Sequence, residues 1–324
     1  MKVQIFEPFV GAHHTKYLRT LLPSLVCLQR TGSVGDIVVT ISQEHRTSDS
    51  FTDQLVRFEG PVAFDPAVPR LGSTRGGPGY TVTGALLRAV ARCRPDFLVC
   101  TSANQGAATL ALTARLHPAP WRRMWSIAVL HNGFPNGVRG MDEFVRDGIH
   151  RFSRANAPFD ELMFVNPLLF QTVAAQLRRS KRRVSLLPDP VDRREPVERG
   201  LARASLLMPV GGRYVGCVGR TDARKRIPEL LAAFRETSRG PMERLLLAGR
   251  LWASHRSLIE RQYSDLLRSE RLLLIDRYLA ECEMDAAYGA CDAVVVAQYP
   301  TSELSGSLLA AIAAGKPVIA DRNG

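Results

Sequence analysis

The chain has 324 residues, of which 45% are hydrophobic and 23% are charged, and its 25 glycines and 20 prolines follow no repeat. This composition excludes disordered, collagen-like and coiled-coil proteins, and the length favours two globular domains. The formal net charge of +12 favours anionic partners such as nucleotides, nucleic acid or an acidic membrane surface, although a GC-rich genome would produce the same excess of arginine.

The cysteines and the apolar runs bear on the cellular compartment. The six cysteines are scattered and form no Cys-x-x-Cys pair, so they are predicted to be reduced thiols. The apolar stretch that opens the chain ends at Glu7, and no run approaches the roughly 18 apolar residues of a membrane span. We therefore expect a cytoplasmic protein without a signal peptide or a membrane-spanning helix.

Short apolar runs alternate with helix-length amphipathic segments, which is typical of a parallel sheet covered by helices on both faces. The predicted strands of the first half are residues 3–6, 36–41, 97–101, 126–130, 162–165 and 184–187. Those of the second half are residues 214–218, 244–248, 272–275, 293–297 and 317–320. Helical periodicity predicts helices over residues 15–28, 83–91, 168–177, 228–234 and 308–314. The sequence therefore predicts an α/β fold.

Three prolines and several charged residues interrupt this alternation between Pro188 and Pro196. Such a segment is typical of a linker, so we place one domain over residues 1–190 and a second over residues 191–324. Each domain is expected to hold its own open sheet. Ligands of such sheets bind at the carboxyl ends of the strands, so two facing sheets would bring the site to a cleft between the domains.

The loop that follows the predicted strand 214–218 begins with Gly219 and is rich in positive charge. Its four cations are Arg220, Arg224, Lys225 and Arg226. Because cations are unfavourable at the positive end of a helix dipole, their position before the next predicted helix indicates a bound polyanion, most simply a diphosphate. A solvated basic helix start is the alternative.

Small polar residues precede the predicted helix 308–314. Ser305, Gly306 and Ser307 would expose backbone N–H groups to a phosphate, and either serine could add a hydroxyl. Simple N-capping of the helix by serine explains the same residues equally well.

Histidines follow two predicted strands of the first half. His131 comes directly after strand 126–130, where a side chain would border the cleft, although a lone histidine is often structural. His13 and His14 lie in the first turn between a strand and a helix. They are weaker candidates, because adjacent residues cannot both face inward on a helix.

Several common catalytic motifs are absent from the sequence. It contains no Asp-x-Asp pair, no His-Glu-x-x-His, no Gly-x-Ser-x-Gly elbow, no phosphate-binding loop of the P-loop type and no Gly-x-Gly-x-x-Gly after a strand. Metalloenzymes, serine hydrolases, P-loop ATPases and dehydrogenases are therefore disfavoured.

Three segments of the second half, residues 218–225, 245–250 and 292–320, occur in a characteristic order and spacing. Together they resemble the donor-binding domain of GT-B glycosyltransferases, most closely glycosyltransferase family 4, whose members are retaining enzymes that use nucleotide-sugar donors. The resemblance covers residues 214–324, and residues 187–192 resemble the family's hinge. It implies two facing Rossmann-like domains, an N-terminal acceptor-side domain and a C-terminal donor-binding domain.

The resemblance also implies roles for individual residues. The implied catalytic residues are His131, Arg220 and Lys225. The implied donor-binding residues are Gly11, Gly219, Arg220, Lys225, Arg277, Tyr278, Leu279, Glu303, Ser305, Gly306 and Ser307. In such enzymes the Arg and Lys neutralise the leaving diphosphate, the His orients a sugar hydroxyl or the acceptor, and the segment at 276–279 packs on the nucleobase. No metal and no cofactor besides the UDP- or GDP-sugar co-substrate is implied.

The sequence departs from the family pattern in two places. The family often carries two glutamates eight positions apart, but the second position is Ala310 here and Glu303 lies one residue out of register with the first. The chain also ends at Gly324, where the family continues, so the second domain is expected to be incomplete at its C-terminus.

The leading hypothesis is metal-independent, retaining transfer of a sugar from a nucleotide-sugar donor to a hydroxyl of a sugar, lipid-linked or small-molecule acceptor, in polysaccharide or glycolipid biosynthesis. Peripheral contact with the anionic inner face of the membrane is expected from the basic surface and from residues 121–125 and 178–183. Solvated helix ends are the alternative explanation of both segments. One alternative is a nucleotide-sugar epimerase or phosphorylase of the same fold. Another is a non-catalytic basic binding protein, but nucleic acid is disfavoured as a partner because no aromatic-rich strip accompanies the cations.

Overall fold

A computed structural model describes residues 1–10, 12–68, 79–103, 107–116, 121–130, 151, 154–178, 182–191, 196–221, 225–238, 240–297 and 305–320. The chain divides into two compact units, Met1–Pro190 and Val191–Gly324. Each unit is built on one parallel β-sheet, which confirms the predicted α/β class.

The first unit contains a seven-stranded sheet with the strand order β3-β2-β1-β4-β5-β6-β7. The strands are β1 Val3–Glu7, β2 Ile37–Ser42, β3 Ala63–Val68, β4 Phe97–Cys100, β5 Trp125–Leu130, β6 Glu161–Phe164 and β7 Arg183–Leu186. The helices are α1 Ala12–Arg30, α2 Gln43–Arg46, α3 Asp49–Gln54, α4 Gly79–Cys93, α5 Ala107–Leu116 and α6 Pro167–Gln176. Short 3₁₀ turns lie at Val56–Phe58 and Trp121–Arg123.

Strand β3 is missing from the sequence prediction. It pairs in parallel with β2 at the edge of the sheet, and most of its residues are partly or fully exposed. Asp65 and Pro66 interrupt its apolar pattern. An edge strand tolerates a proline because one side of its backbone needs no hydrogen-bonding partner, and this is why the apolar pattern fails to reveal it.

The second unit contains a five-stranded parallel sheet with the order β10-β9-β8-β11-β12. The strands are β8 Arg213–Val218, β9 Glu243–Ala248, β10 Leu272–Ile275, β11 Ala293–Val296 and β12 Val318–Ala320, each at a predicted position. The helices are α7 Arg199–Ser205, α8 Ile227–Thr237, α9 Ala253–Gln262, α10 Ser264–Arg268, α11 Glu281–Ala290 and α12 Gly306–Ala313.

Both faces of each sheet are covered, as the unbroken apolar runs predict. Along β9, Leu245 and Leu247 belong to one buried cluster, whereas Leu246 and Ala248 belong to another. Successive side chains of a strand point to opposite faces, so the two clusters are the two cores on either side of the sheet. A strand buried on both faces therefore needs apolar residues at every position.

The strand orders place a topological switch point in each sheet. From β1 the first sheet grows towards β2 on one side and β4 on the other, and from β8 the second grows towards β9 and β11. The loops that leave two such neighbouring strands run in opposite directions and open a crevice at the carboxyl edge. Ligands of open parallel sheets bind at this crevice, so residues after β1, β4, β8 and β11 are the candidates for function.

Candidate functional site

The turn that follows β8 is made by Gly219. Its φ of +105° lies in the region that favours glycine. Its backbone N–H donates to the Ala248 carbonyl at 2.8 Å, which extends the pairing of β8 with β9 by one residue. The chain then turns away from the sheet at the switch point, where a ligand can approach the backbone.

A second glycine, Gly249, holds the turn after β9 against the turn after β8. It has a φ of +126°, and a Cβ placed on it would collide with the backbone carbonyl of Gly219. The Gly249 N–H donates to the Ile275 carbonyl at 2.8 Å, and the Thr221 N–H donates to the Arg250 carbonyl at 3.1 Å. The loops after β8, β9 and β10 are thus joined through their main chains.

Lys225 and Ser307 meet at this switch point although they are 82 residues apart in the sequence. Lys225 is only 6% exposed, and its Nζ donates to Ser307 Oγ at 2.6 Å. Ser307 Oγ donates in turn to the Val218 carbonyl at 3.3 Å. The structure therefore brings one predicted cation and one predicted serine together at the end of β8.

The start of helix α12 combines the two roles considered for its serines. Ser305 is the N-cap, since its Oγ accepts the Leu308 N–H at 3.3 Å. Gly306 is exposed, and no atom of the described residues outside its own helix turn lies within 4 Å of where its Cβ would be. Ser307 carries the contact with Lys225. A helix N-terminus presents N–H groups and a partial positive charge, so the ammonium of Lys225 adds to a place that already favours anions.

The other cations of the basic loop differ in their surroundings. Arg220 is exposed and makes no ion pair with the residues that the structure describes. Arg226 has a left-handed backbone with φ of 50°, and its Nε lies 3.4 Å from Glu229 Oε1. Arg224 lies outside the described residues. The loop thus divides into a buried Lys225, an exposed Arg220 and an Arg226 that pairs locally.

The segment after β10 is tied to helix α11. The Arg277 guanidinium binds both carboxylate oxygens of Glu283, at 2.6 and 2.7 Å, and Glu283 also accepts the Ala280 N–H at 3.0 Å. The hydrogen bonds from Arg277 lower the pKa of Glu283. Tyr278 is half-buried, and Leu279 is a core residue. In this structure the side chains of Arg277 and Leu279 thus serve local structure.

Asp276 is a residue of this edge that the sequence analysis does not single out for its side chain. Its Oδ1 accepts the Leu251 N–H at 2.7 Å, and its Oδ2 pairs with Arg256. It therefore fixes the loop after β9 from the neighbouring strand. A carboxylate directly after an apolar strand is the sequence signal that would have identified it.

Three predicted site residues, Gly11, His131 and Glu303, lie outside the described residues. The switch point of the first sheet nevertheless shows a cluster of polar side chains around Glu7, at the end of β1. Glu7 Oε2 accepts from Thr101 at 2.6 Å and from Ser102 at 2.9 Å, and lies 3.1 Å from His14 Nδ1. Of the two adjacent histidines, His14 is the one that the described side chains show in this cluster.

The surroundings of Glu7 keep it ionised. Burial alone would raise the pKa of Glu7, but the charge of His14 and the hydrogen bonds from His14, Thr101 and the Phe9 backbone lower it to about 2. Nearby, His45 is fully buried, and its Nε2 lies 3.0 Å from Thr15 Oγ1. Burial lowers the pKa of His45 to about 4, so this histidine is neutral near pH 7.

The described residues were also compared with the requirements of a membrane-spanning helix and of a metal site. None of the helices there has the length and apolar character needed to cross a membrane. Nowhere in the same part of the chain do three or more His, Cys, Asp or Glu side chains form a group able to hold a metal ion.

Most of the second unit matches a known protein family. Residues 212–324 match the family described as "Glycosyl transferases group 1". None of the curated proteins matches the chain in sequence.

Solved structures match the chain over its whole length. Anabaena HepE in complex with UDP is 15% identical with a TM-score of 0.65, covering 100% of this chain and 81% of that one. Sucrose-phosphate synthase from Thermosynechococcus elongatus is 18% identical with a TM-score of 0.71, covering 100% of this chain and 82% of that one. The UDP-GlcNAc 2-epimerase from Neisseria meningitidis, bound to UDP-GlcNAc, is 14% identical with a TM-score of 0.58, and the match covers 100% of this chain and 83% of that one.

The family match covers the loops after β8, β9 and β11, and so includes the Lys225 and Ser307 contact. The similar structures extend the likeness of fold to the first unit. The chain therefore has the α/β fold with two parallel sheets of the GT-B glycosyltransferases, and its residues 212–324 form a domain similar to the glycosyl transferases of group 1.

Proposed function

We propose that the protein is a glycosyltransferase of the family 4 type. It transfers a hexosyl group from a nucleotide-sugar donor to an acceptor hydroxyl, with retention of the anomeric configuration and without a metal ion. The observation that carries the proposal is the contact between Lys225 and Ser307 at the switch point of the second sheet. The buried ammonium of Lys225, the N-terminus of helix α12 and the glycine turn after β8 meet there. A diphosphate is the ligand whose charge and shape fit all three.

The donor nucleotide is expected to bind along the carboxyl edge of the second sheet. Lys225 would bind the diphosphate as a point charge, and the backbone of Ser305, Gly306 and Ser307 would donate to its oxygens. The segment Arg277, Tyr278 and Leu279 would flank the nucleobase with its backbone, since two of its side chains are engaged elsewhere. The similar HepE structures contain UDP or UDP-glucose, which supports a UDP-sugar as the first donor to test, with a GDP-sugar as the second.

In the proposed reaction the bond between the anomeric carbon and the diphosphate oxygen breaks, and a bond to the acceptor oxygen forms. The acceptor hydroxyl loses its proton, which leaves with the nucleoside diphosphate. Negative charge grows on the diphosphate in the transition state, so fixed cations stabilise that state more than the ground state. Lys225 and Arg220 supply this charge in the proposal, and the sequence contains no Asp-x-Asp pair that would bring a metal instead.

The first unit is proposed to bind the acceptor, with Gly11 and His131 beside the transferred sugar. The acceptor would be a sugar, a lipid-linked sugar or a small molecule in polysaccharide or glycolipid biosynthesis. The proposed location is the cytoplasm, and nucleic acid is not a proposed partner.

Calorimetric titration of the full chain with UDP, GDP and ADP tests the donor site. Each titration is made with Mg²⁺ and again with EDTA, and then on Lys225→Ala. Lys316→Ala is a matched control, because Lys316 is a half-buried lysine of the same unit that donates to the Gly289 carbonyl ahead of β12. We expect one nucleotide to bind in EDTA, and we expect Lys225→Ala but not Lys316→Ala to lose it. Binding that is equal in both variants contradicts the proposal.

An epimerase of the same fold is the second candidate, because the Neisseria meningitidis epimerase has a similar structure. An epimerase needs no acceptor, whereas a transferase does. Incubation of the protein with a UDP-sugar alone, followed by product analysis, separates the two. A new UDP-sugar isomer formed without an acceptor would reject transfer as the main activity.

We also propose peripheral contact with an anionic membrane through the amino-terminal edge of the first sheet. There Trp125 is 41% exposed with the Arg183 guanidinium 5.2 Å from its ring centre, whereas Trp121 and Met124 are core residues. Exposed aromatic and cationic side chains together favour the lipid interface. Flotation with vesicles of phosphatidylcholine with and without phosphatidylglycerol tests this, and equal recovery in both contradicts it.

A further inference from the structure

The long side chain of Lys225 has to be held in place if its ammonium is to meet a diphosphate. A lysine stem has four carbons with many rotamers, and holding it in one of them costs conformational entropy. In the structure the Nζ is fixed by the Ser307 hydroxyl at 2.6 Å. This contact differs from phosphate binding and from helix capping, the two roles that the sequence suggests for the serines of this segment.

Ser307 is itself held by the strand at this edge. Its Oγ donates to the Val218 carbonyl at the end of β8, at 3.3 Å. The hydroxyl therefore links the Lys225 ammonium to the main chain of the sheet.

These two contacts give the Ser307 hydroxyl a defined orientation. A serine hydroxyl has one donor and two acceptor positions. Ser307 directs its one proton to the Val218 carbonyl, and its oxygen accepts from the Lys225 ammonium. The orientation of this hydroxyl therefore sets where the ammonium lies.

We propose that Ser307 is a positioning residue, which acts through Lys225 to hold its ammonium where the donor diphosphate binds. The proposal rests on the proposed function and adds to it a side-chain role with no direct contact with the nucleobase or the sugar. Removal of the Ser307 hydroxyl leaves the charge of Lys225 in place but releases its position. The loss should therefore fall on ligands that carry the diphosphate.

The test compares binding of UDP with binding of uridine, which lacks the diphosphate, to wild type, Ser307→Ala and Ser307→Thr. If the nucleotide titrations select GDP or ADP, the matching nucleoside replaces uridine. We expect Ser307→Ala to weaken UDP binding about tenfold or more, the usual scale for a hydrogen bond to a charged group, and to leave uridine binding unchanged. Ser307→Thr keeps the hydroxyl and should restore UDP binding.

A double-mutant cycle shows whether Ser307 acts through Lys225. If it does, Lys225→Ala with Ser307→Ala should bind UDP no more weakly than Lys225→Ala alone. Ser305→Ala is the comparison for damage to the helix start, because Ser305 caps the same turn. Melting temperatures of all variants report on folding.

The outcomes separate this inference from the proposed function. Equal losses for UDP and uridine in Ser307→Ala, losses that add in the double variant, or no rescue by Ser307→Thr would overturn the positioning role. If Ser307→Ala does not fold, Ser307→Cys carries the same comparison, because a thiol is only a weak hydrogen-bonding group. If Lys225→Ala binds nucleotides as wild type does, or if wild type binds none, the proposed function itself fails and this inference fails with it.

Discussion

The two sheets share one strand order around their switch points but place buried charges of opposite sign there. At the end of β1, Glu7 is fully buried among donors of its own unit, His14, Thr101 and Ser102. After β8, the buried charge is Lys225, beside a helix start and an exposed Arg220. A diphosphate is attracted to the second edge and gains nothing from a carboxylate at the first.

The topology of a sheet fixes where a ligand can bind, whereas the side chains at that edge decide which ligand binds. The carboxylate of the first edge holds neighbouring hydroxyl and imidazole groups of its own unit in place. The ammonium of the second edge suits a polyanion. Changes at Glu7 should therefore affect the stability of the first unit, and changes at Lys225 should affect nucleotide chemistry.

The largest expected effect is that of Glu7→Ala on the first unit. Removal of the carboxylate leaves His14 and two hydroxyls without their shared acceptor, and breaking such a buried pair typically costs about 3–5 kcal/mol. Urea unfolding should show this loss in the free energy of unfolding, and Glu7→Gln, which keeps an acceptor oxygen, should lose less. A loss below about 1 kcal/mol, the usual value of an exposed pair, would show that Glu7 does not organise this edge.

Acid should weaken the first unit in two pH ranges. The folded pKa of His45 is about 4 against the usual 6.5, so stability falls as the pH drops from 6.5 to 4, where only the unfolded chain takes up the proton. The folded pKa of Glu7 is about 2 against 4.5, so its stabilisation is present above pH 4.5 and is lost towards pH 2. Each change amounts to about 3 kcal/mol.

Urea unfolding at a series of pH values measures both ranges. His45→Gln serves as the comparison for the upper range, since glutamine does not titrate. Its stability should change less than that of wild type between pH 6.5 and 4, and the two proteins should respond alike below pH 4. A wild-type stability that does not fall between pH 6.5 and 4 would contradict the burial of a neutral His45.

The next largest effect is expected on the rate of sugar transfer. Lys225→Ala and Arg220→Ala should each reduce sugar transfer by about 100-fold or more, which corresponds to about 2.7 kcal/mol of lost transition-state stabilisation. Release of the nucleoside diphosphate from the donor is the measurement, with Lys316→Ala as the control. Near-normal turnover in either variant would remove that residue from the proposed catalytic set.

The smallest effect is expected at the exposed pair of Arg277 and Glu283. Arg277 is 53% exposed, and exposed pairs typically contribute about 0.2–1 kcal/mol. Glu283→Gln should therefore change the free energy of unfolding by less than about 1 kcal/mol. If it also weakens nucleotide binding tenfold, the pair holds the loop after β10 in its binding conformation.

The sequence predicts those features that depend on local pattern. Unbroken apolar runs reveal every strand that is buried on both faces, and a glycine with cations after β8 reveals the second switch point. Strand β3 escapes prediction because its exposed edge permits Asp65 and Pro66. Glu7 escapes because a carboxylate at the end of an apolar strand looks the same in sequence whether it is solvated or buried.

The contacts of the site escape prediction for a different reason. Lys225 and Ser307 meet only because β8 and β11 are neighbours in the sheet, and strand order is a property of the whole domain. The role of Arg277 is also undetermined by sequence, since its pairing with Glu283 depends on where α11 begins. A list of residues after strands therefore identifies the edge, and the topology identifies the partners.

The contact between Gly249 and the carbonyl of Gly219 limits which residues of the site can be exchanged during evolution. The wall of the crevice there is main chain. A side chain at Gly249 would collide with the loop after β8, and a side chain at Gly219 would be strained by its φ of +105°. Exposed side chains on the same loops, such as Arg220 and Arg250, carry no such restriction. Substitution of these exposed side chains can therefore change the ligand preference, while the main-chain surface of the crevice stays the same.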